Sequence, residues 1–175
     1  LDDPYITQVE KRRILDVASS YFDLASSYTK SKPSLFITTG LVGTGKSALA
    51  QALAKRLGLI VISSGVTRKQ LASIPVTEHR FEEFNTGIYS PEFSRMTYDR
   101  MFTEAKQILV DGGSVIIDAS FIRAKKRLKA KALAEETGAD FFIVECTLDE
   151  HKIKQRLAQR LKRGSVSDGR WEIYE

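Results

Sequence analysis

Apolar positions follow two rhythms that alternate along the chain. Leu35-Phe36-Ile37-Thr38-Thr39, Leu59-Ile60-Val61-Ile62-Ser63, Ser114-Val115-Ile116-Ile117-Asp118 and Phe141 to Cys146 are short, nearly unbroken runs, the pattern of strands covered on both faces. Between them lie helical stretches, predicted at Ala48 to Leu57, about 91 to 110, about 121 to 137, and 149 to 162. Ser90-Pro91-Glu92 supplies a capping hydroxyl, a proline at the first helical position and a first-turn carboxylate, while Gly58, Gly112-Gly113 and Gly138 mark helix ends. In the last helix Ile153, Leu157 and Leu161 share one stripe, and Arg156, Arg160 and Arg163 form another at i, i+4, i+7 spacing. Strands alternating with helices predict right-handed βαβ crossovers, hence an α/β fold with a mostly parallel sheet and helices on both faces. Residues 64 to 69 open a short helix, and 73 to 89, rich in turn formers, read as an irregular segment able to cover a substrate. No internal repeat is present.

Upstream of the first strand, residues 5 to 28 carry Val9, Ile14, Val17, Ala18, Tyr21, Ala25 and Tyr28 close to a helical stripe, with Asp2-Asp3-Pro4 as a start signal. Thr29 to Ser34 reads as a linker, dividing the chain into 1–34 and 35–175. Two readings of the helix stand side by side: the tail of an upstream domain, or a helix packed on the main body. Because the chain opens on Leu1, we expect a fragment or a processed form.

The first strand runs into Gly40-Leu41-Val42-Gly43-Thr44-Gly45-Lys46-Ser47, and a helix follows at once. This is a complete G-x-x-x-x-G-K-[ST] loop in a strand–loop–helix setting. Glycine backbone freedom lets successive N–H groups of Gly40, Gly43, Thr44, Gly45, Lys46, Ser47 and Ala48 turn inward around phosphate oxygens. The helix N-terminus adds positive potential. Lys46 can reach the β- and γ-phosphates, and the Ser47 hydroxyl can ligate a bridging Mg2+. The expected ligand is therefore ATP with Mg2+. Asp118, at the end of an apolar strand downstream of the loop, is placed to organise that magnesium, and the arginine stripe suits a lid that neutralises a transferring phosphoryl group.

Composition narrows the partners only slightly. The net charge of +5 favours acidic ligands, which phosphate chemistry alone explains, so nucleic acid is permitted but not favoured. Arg123, Lys125, Lys126, Arg127, Lys129 and Lys131 crowd one helix without interleaved aromatics, a pattern more typical of a solvated face than of a single-strand platform. Cys146 cannot form an internal disulfide and suits a reduced, cytoplasmic core; no run approaches the length of a membrane span. His79 and His151 are isolated, which argues against a histidine metal site, and Trp171 and Tyr174 suit packing better than base stacking.

Four segments in order, the loop at 40–47, Ser64…Arg68-Lys69, Ile116-Ile117-Asp118-Ala119-Ser120-Phe121 and Arg156…Arg160…Ser167-Asp168, resemble P-loop kinases of the polynucleotide-kinase and zeta-toxin group over residues 35 to 174. The match looks nearest to the ATP-binding part of bacterial proteins that also carry an aminoglycoside-phosphotransferase-like domain. The resemblance implies a three-layer, adenylate-kinase-like P-loop fold and transfer of the ATP γ-phosphoryl group to a hydroxyl of a small molecule or a nucleic-acid end. It also implies roles for Lys46, Asp118, Arg68 and Arg160 in catalysis and for Arg156 with Arg160 on the nucleotide. One position departs. The family's aspartate base falls on Gly65, and losing a general base typically costs about 100- to 10,000-fold. A degenerate nucleotide-binding module that regulates an attached domain is the alternative this raises, and a mechanical ATPase is disfavoured by the shortness of the chain.

Overall fold

The four apolar runs become four parallel strands: β1 (Ser34–Thr39), β2 (Ile60–Ser63), β3 (Val115–Asp118) and β4 (Asp140–Glu145). Their spatial order is β2-β3-β1-β4. The computed structural model describes residues 7–29, 32–78 and 86–163. Around the sheet stand α2 (Lys46–Leu57), α3 (Ser64–Leu71), a 3-10 turn at Gly87–Tyr89, α4 (Pro91–Val110), α5 (Ala124–Glu136) and α6 (Glu150–Arg163). The chain divides into two compact units, Leu1–Lys32 and Pro33–Glu175. In the first, α1 (Gln8–Thr29) begins with a reciprocal capping box, in which the Thr7 N–H donates to Glu10 Oε2 at 2.9 Å and the Glu10 N–H to Thr7 Oγ1 at 3.3 Å.

Alternation along the strands builds two cores. Leu35, Ile37, Ile62, Val115 and Ile117 pack with Tyr98, Met101, Phe102 and Ala105 of α4 and with Ala130 and Ala134 of α5. On the opposite face Ile116 packs with Ala50 and Ala54 of α2, with Phe36, Leu53 and Val61 at its margin. A strand covered on both sides reads as continuously apolar, which is why period-2 alternation is missing from the sequence. The edge strand β4 is less covered, and its Phe142 stacks on Phe36 with ring centroids 4.7 Å apart.

Helix boundaries follow their local chemistry. The Ser90 hydroxyl accepts the Phe93 N–H at 3.2 Å, with Pro91 at the first helical position, so α4 starts where the sequence predicts. The next helix departs from expectation: α5 begins at Ala124, not near 121. Phe121 takes a positive φ of 41° and Arg123 is extended, so helical hydrogen bonding cannot begin before Ala124. Arg127 ties that bend down by donating to the carbonyls of Phe121 and Ile122 at 2.8 and 2.6 Å. Of the segment 73 to 89, residues 79–85 lie outside the described part, and the remainder holds turns and the 3-10 turn.

Core depth sets the first expected outcome. Ile117 is fully buried between β1 and β2, whereas Ile143 on the edge strand is 48% exposed. Urea unfolding should show Ile117→Ala costing about 2–5 kcal/mol and Ile143→Ala less than about half of that. Equal losses would contradict this assignment of centre and edge.

Candidate functional site

β1 is the strand at which the chain reverses direction across the sheet, with β3 on one side and β4 on the other. In such sheets the cleft opens beyond the carboxyl ends of the strands at the reversal. The glycine-rich loop leaves β1 at that point. Gly40, Gly43 and Gly45 take φ of 134°, 84° and 99°, values that L side chains rarely adopt. Gly40 is held from both sides: its N–H donates to the Ser120 carbonyl at 3.2 Å, and a Cβ there would overlap the Cys146 carbonyl oxygen. The loop is therefore wedged between the segments that leave β3 and β4. Gly43 has a different neighbour, since a Cβ on it would lie 3.0 Å from Ile153 Cγ2 and 3.2 Å from Leu157 Cγ. The apolar stripe of α6, with Ile153 and Leu157 both buried, thus sits directly on the loop.

Inside the loop the Lys46 ammonium donates to the Leu41 carbonyl at 2.6 Å and the Thr44 hydroxyl to the same carbonyl at 2.8 Å. Ser47 and Ala48 lie in the exposed first turn of α2, behind Gly45 as its N-cap. Asp118 is only 6% exposed at the end of β3, paired in register with Ser63. Both the Lys46 ammonium and the Asp118 carboxylate lie near enough to act on the Cys146 thiol, which burial pushes up, Lys46 lowers and Asp118 raises. Lys46, Asp118 and the two strand exits thus meet around the loop. Thr38, buried in β1, reinforces the junction, donating to the Ala119 carbonyl at 2.9 Å and accepting the Ala119 N–H at 3.1 Å.

The predicted lid residue Arg156 reaches the loop, its guanidinium donating to the Thr44 carbonyl at 3.5 Å and lying 3.2 Å from where a Cβ on Gly45 would be. Arg160 belongs to α6, but its side chain lies outside the described residues, as do Ser167, Asp168, Trp171, Tyr174 and His79. Arg68 lies on α3. Its guanidinium donates to the Ile88 carbonyl and to Ser94 Oγ, the latter at 3.3 Å, and lies 4.9 Å above the Tyr89 ring, holding the 3-10 turn to the start of α4. Gly65 occupies the first turn of α3.

A loop of this kind suits a triphosphate tail: backbone amides at the N-terminus of α2, the Lys46 ammonium within the loop and the Arg156 guanidinium at Thr44. Among the described residues no group of three or more His, Cys, Asp or Glu side chains could hold a metal ion alone. Ser47 and Asp118 fit a magnesium ion that takes its other ligands from phosphate and water.

Sequence reasoning missed two residues beside this junction. Tyr98 appears in the sequence as one more apolar position of α4, yet its phenol accepts the Phe121 N–H at 3.4 Å and hydrogen-bonds Ser120. Lys126 appears as one member of a basic run, yet its Nζ lies 3.3 Å from the Tyr98 ring centroid. Burial pushes the Tyr98 pKa up. Burial, then the Arg123 and Arg68 charges, push Lys126 down to about 8.

This parallel order, with a glycine-wedged phosphate loop at the reversal strand, defines a P-loop α/β protein of the kinase-like, nucleotide-binding type. The chain belongs to the family described as an AAA domain, whose pattern matches residues 35–172. Uncharacterised proteins from Mycobacterium tuberculosis and Mycobacterium bovis are each 30% identical over 139 residues, covering 79% of this chain and 28% of theirs. The chain spans little more than a quarter of those relatives. The fold is similar to that of a candidate kinase from Chloroflexus aurantiacus, with a TM-score of 0.62, 22% identity, and coverage of 76% of this chain and 68% of the other. It is also similar to the APS kinase of Mycobacterium tuberculosis solved with AMPPNP and APS, with a TM-score of 0.55, 22% identity, and coverage of 75% and 72%. No helix among the described residues is long and apolar enough to cross a membrane.

Two outcomes follow from this geometry. Gly40→Ala forces the loop off Cys146 and should cost about 2–4 kcal/mol, whereas Gly58→Ala, with open space around it, should cost only about 1. Denaturant midpoints would compare them, and equal losses would contradict the wedge. Lys126 is charged less readily in the fold than in the unfolded chain, so between about pH 8 and 10 the unfolded state binds more protons and stability gains with rising pH. Stability curves of wild type and Lys126→Gln should diverge over that window, in favour of the wild type as pH rises. Parallel curves would contradict the shift.

Proposed function

We propose that the chain is an ATP-dependent phosphotransferase domain moving the γ-phosphoryl group to a hydroxyl acceptor. The observation that carries this reading is the convergence on one loop of Lys46, the strand-end acid Asp118 and Arg156 from the helix after β4. Lys46 and the amides from Gly40 to Ala48 would hold the β- and γ-phosphates, and Arg156, which reaches the loop, would neutralise charge on them, a role the resemblance extends to Arg160. Magnesium, held by Ser47 and Asp118, would neutralise charge across the bridging phosphates. The acceptor oxygen bonds to the γ-phosphorus as its bond to the bridging oxygen breaks, ADP leaves with the electron pair, and the hydroxyl proton passes to Asp118 or to water. Positioning and charge neutralisation supply most of the rate in such reactions. Support comes from the kinase folds similar to this chain and from its resemblance to the polynucleotide-kinase and zeta-toxin group.

A second reading, a nucleotide-binding module that regulates an attached domain, is favoured by Gly65, which puts no carboxylate in the first turn of α3. An attached aminoglycoside-phosphotransferase-like domain and a cytoplasmic setting remain part of the proposal.

Labelled ATP with a panel of hydroxyl acceptors separates the two readings. The phosphotransferase reading expects transfer by the wild type and a gain of about 10-fold or more in Gly65→Asp. Nucleotide binding without transfer by either form, against a panel that includes small anionic alcohols and hydroxyl-ended oligonucleotides, would favour the regulatory module. Lys46→Ala should abolish magnesium-ATP binding by calorimetry, and unchanged affinity would refute both readings.

A further inference from the structure

The basic run of α5 separates in three dimensions into cations with internal duties and cations without. Arg127 donates to two carbonyls of the β3–α5 bend, Lys129 holds Asp99 at 2.6 Å, and Lys131 faces Glu135 at 3.6 Å. Arg123, Lys125 and Lys126 have no carboxylate partner among the described residues, and of the three Lys125 is exposed and is not among the charges acting at Tyr98. Arg123 and Lys126 follow Asp118 closely in the chain, at the start of α5.

Their surroundings are built. The Lys126 ammonium stands over the face of Tyr98, a ring only 7% exposed and packed edge-on against Phe121 with centroids 5.3 Å apart. The Tyr98 phenol hydrogen-bonds Ser120, whose carbonyl accepts the Gly40 N–H. A single residue therefore links this cluster to the phosphate loop. Arg68 comes in from α3, and with Arg123 it is close enough to act on both the Tyr98 hydroxyl and the Lys126 ammonium; no carboxylate is among the groups acting on either. Like charges gathered over a partly buried ring repel one another, and an arriving anion removes that cost. The positive φ of the buried Phe121 adds a strained backbone at the same bend, a feature that tends to mark ligand sites.

We propose that Arg123 and Lys126, backed by Arg68 and Tyr98, form an anion subsite for the acceptor. The receiving hydroxyl belongs to a small molecule that also carries a phosphate, sulfate or carboxylate group. This rests on the phosphotransferase reading and adds a substrate class to it. A nucleic-acid acceptor fits less well, because a continuous row of available cations is needed to follow a phosphodiester backbone, and here Arg127, Lys129 and Lys131 are committed internally.

The test uses sodium sulfate and sodium acetate as probes, titrated by calorimetry into protein already saturated with magnesium AMPPNP. Sulfate should bind, with affinity falling about tenfold or more in Arg123→Ala and in Lys126→Gln and largely kept in Lys126→Arg. AMPPNP affinity should stay within about twofold throughout. A stronger acetate response through the same two residues would assign the subsite to a carboxylate. Arg123 is exposed and outside the core, so its truncation remains informative if Lys126→Gln loses helix content by circular dichroism. Sulfate and acetate that fail to bind, or that bind equally to all forms, would overturn the subsite. A hydroxyl-ended oligonucleotide that binds more tightly than either anion through Arg123 and Lys126 would overturn the small-molecule acceptor. Should AMPPNP itself not bind, the nucleotide reading fails, and the same titrations on nucleotide-free protein still decide the subsite.

Discussion

The structure depends on one close approach: Gly40 lies between the Ser120 carbonyl, which accepts its N–H, and the Cys146 carbonyl, which leaves no room for a Cβ. β1 can be the reversal strand of the sheet only if the chain leaving it passes between the exits of β3 and β4. That passage forces the backbone into conformations that glycine alone adopts without strain. The same constraint delivers the following amides to the start of α2, where the helix dipole reinforces them. Shape and electrostatics of the loop thus have a single cause, the crowding of three strand ends.

Around this wedge the molecule divides its work between two sides. On the β4 side, α6 lays Ile153 and Leu157 on Gly43 and reaches the loop with Arg156, so the helix that carries this guanidinium is seated on the loop by apolar contact. On the β2–β3 side, the exit of β3 carries Asp118, Ser120 and the strained Phe121 toward Tyr98 and the cations of α3 and α5. Ser120 touches both the loop and Tyr98, through its carbonyl to the one and its hydroxyl to the other.

Much of this was legible in the residues. Doubly covered strands leave unbroken apolar runs, and the start of α4 follows from the Ser90-Pro91 pair, so the sheet and most helix limits could be read directly. The phosphate loop could be read because its chemistry demands fixed residues at fixed spacing. What stayed hidden depends on long-range geometry. No local signal shows that Phe121 takes a left-handed conformation and delays α5, that Arg68 ties the 3-10 turn to α4, or that Lys126 leaves its basic neighbours to sit on Tyr98. Tyr98 carries an ordinary helical-core pattern, and only the fold brings its hydroxyl to Ser120.

The central claim is that residues 40–47 grip a triphosphate tail. A crystal structure of the protein with magnesium AMPPNP tests it most directly. The account predicts the β- and γ-phosphates inside the loop, with Lys46 Nζ moved from the Leu41 carbonyl onto a phosphate oxygen and magnesium between Ser47 and the Asp118 side. A loop that stays empty at saturating nucleotide, with Lys46 still on Leu41, would contradict it.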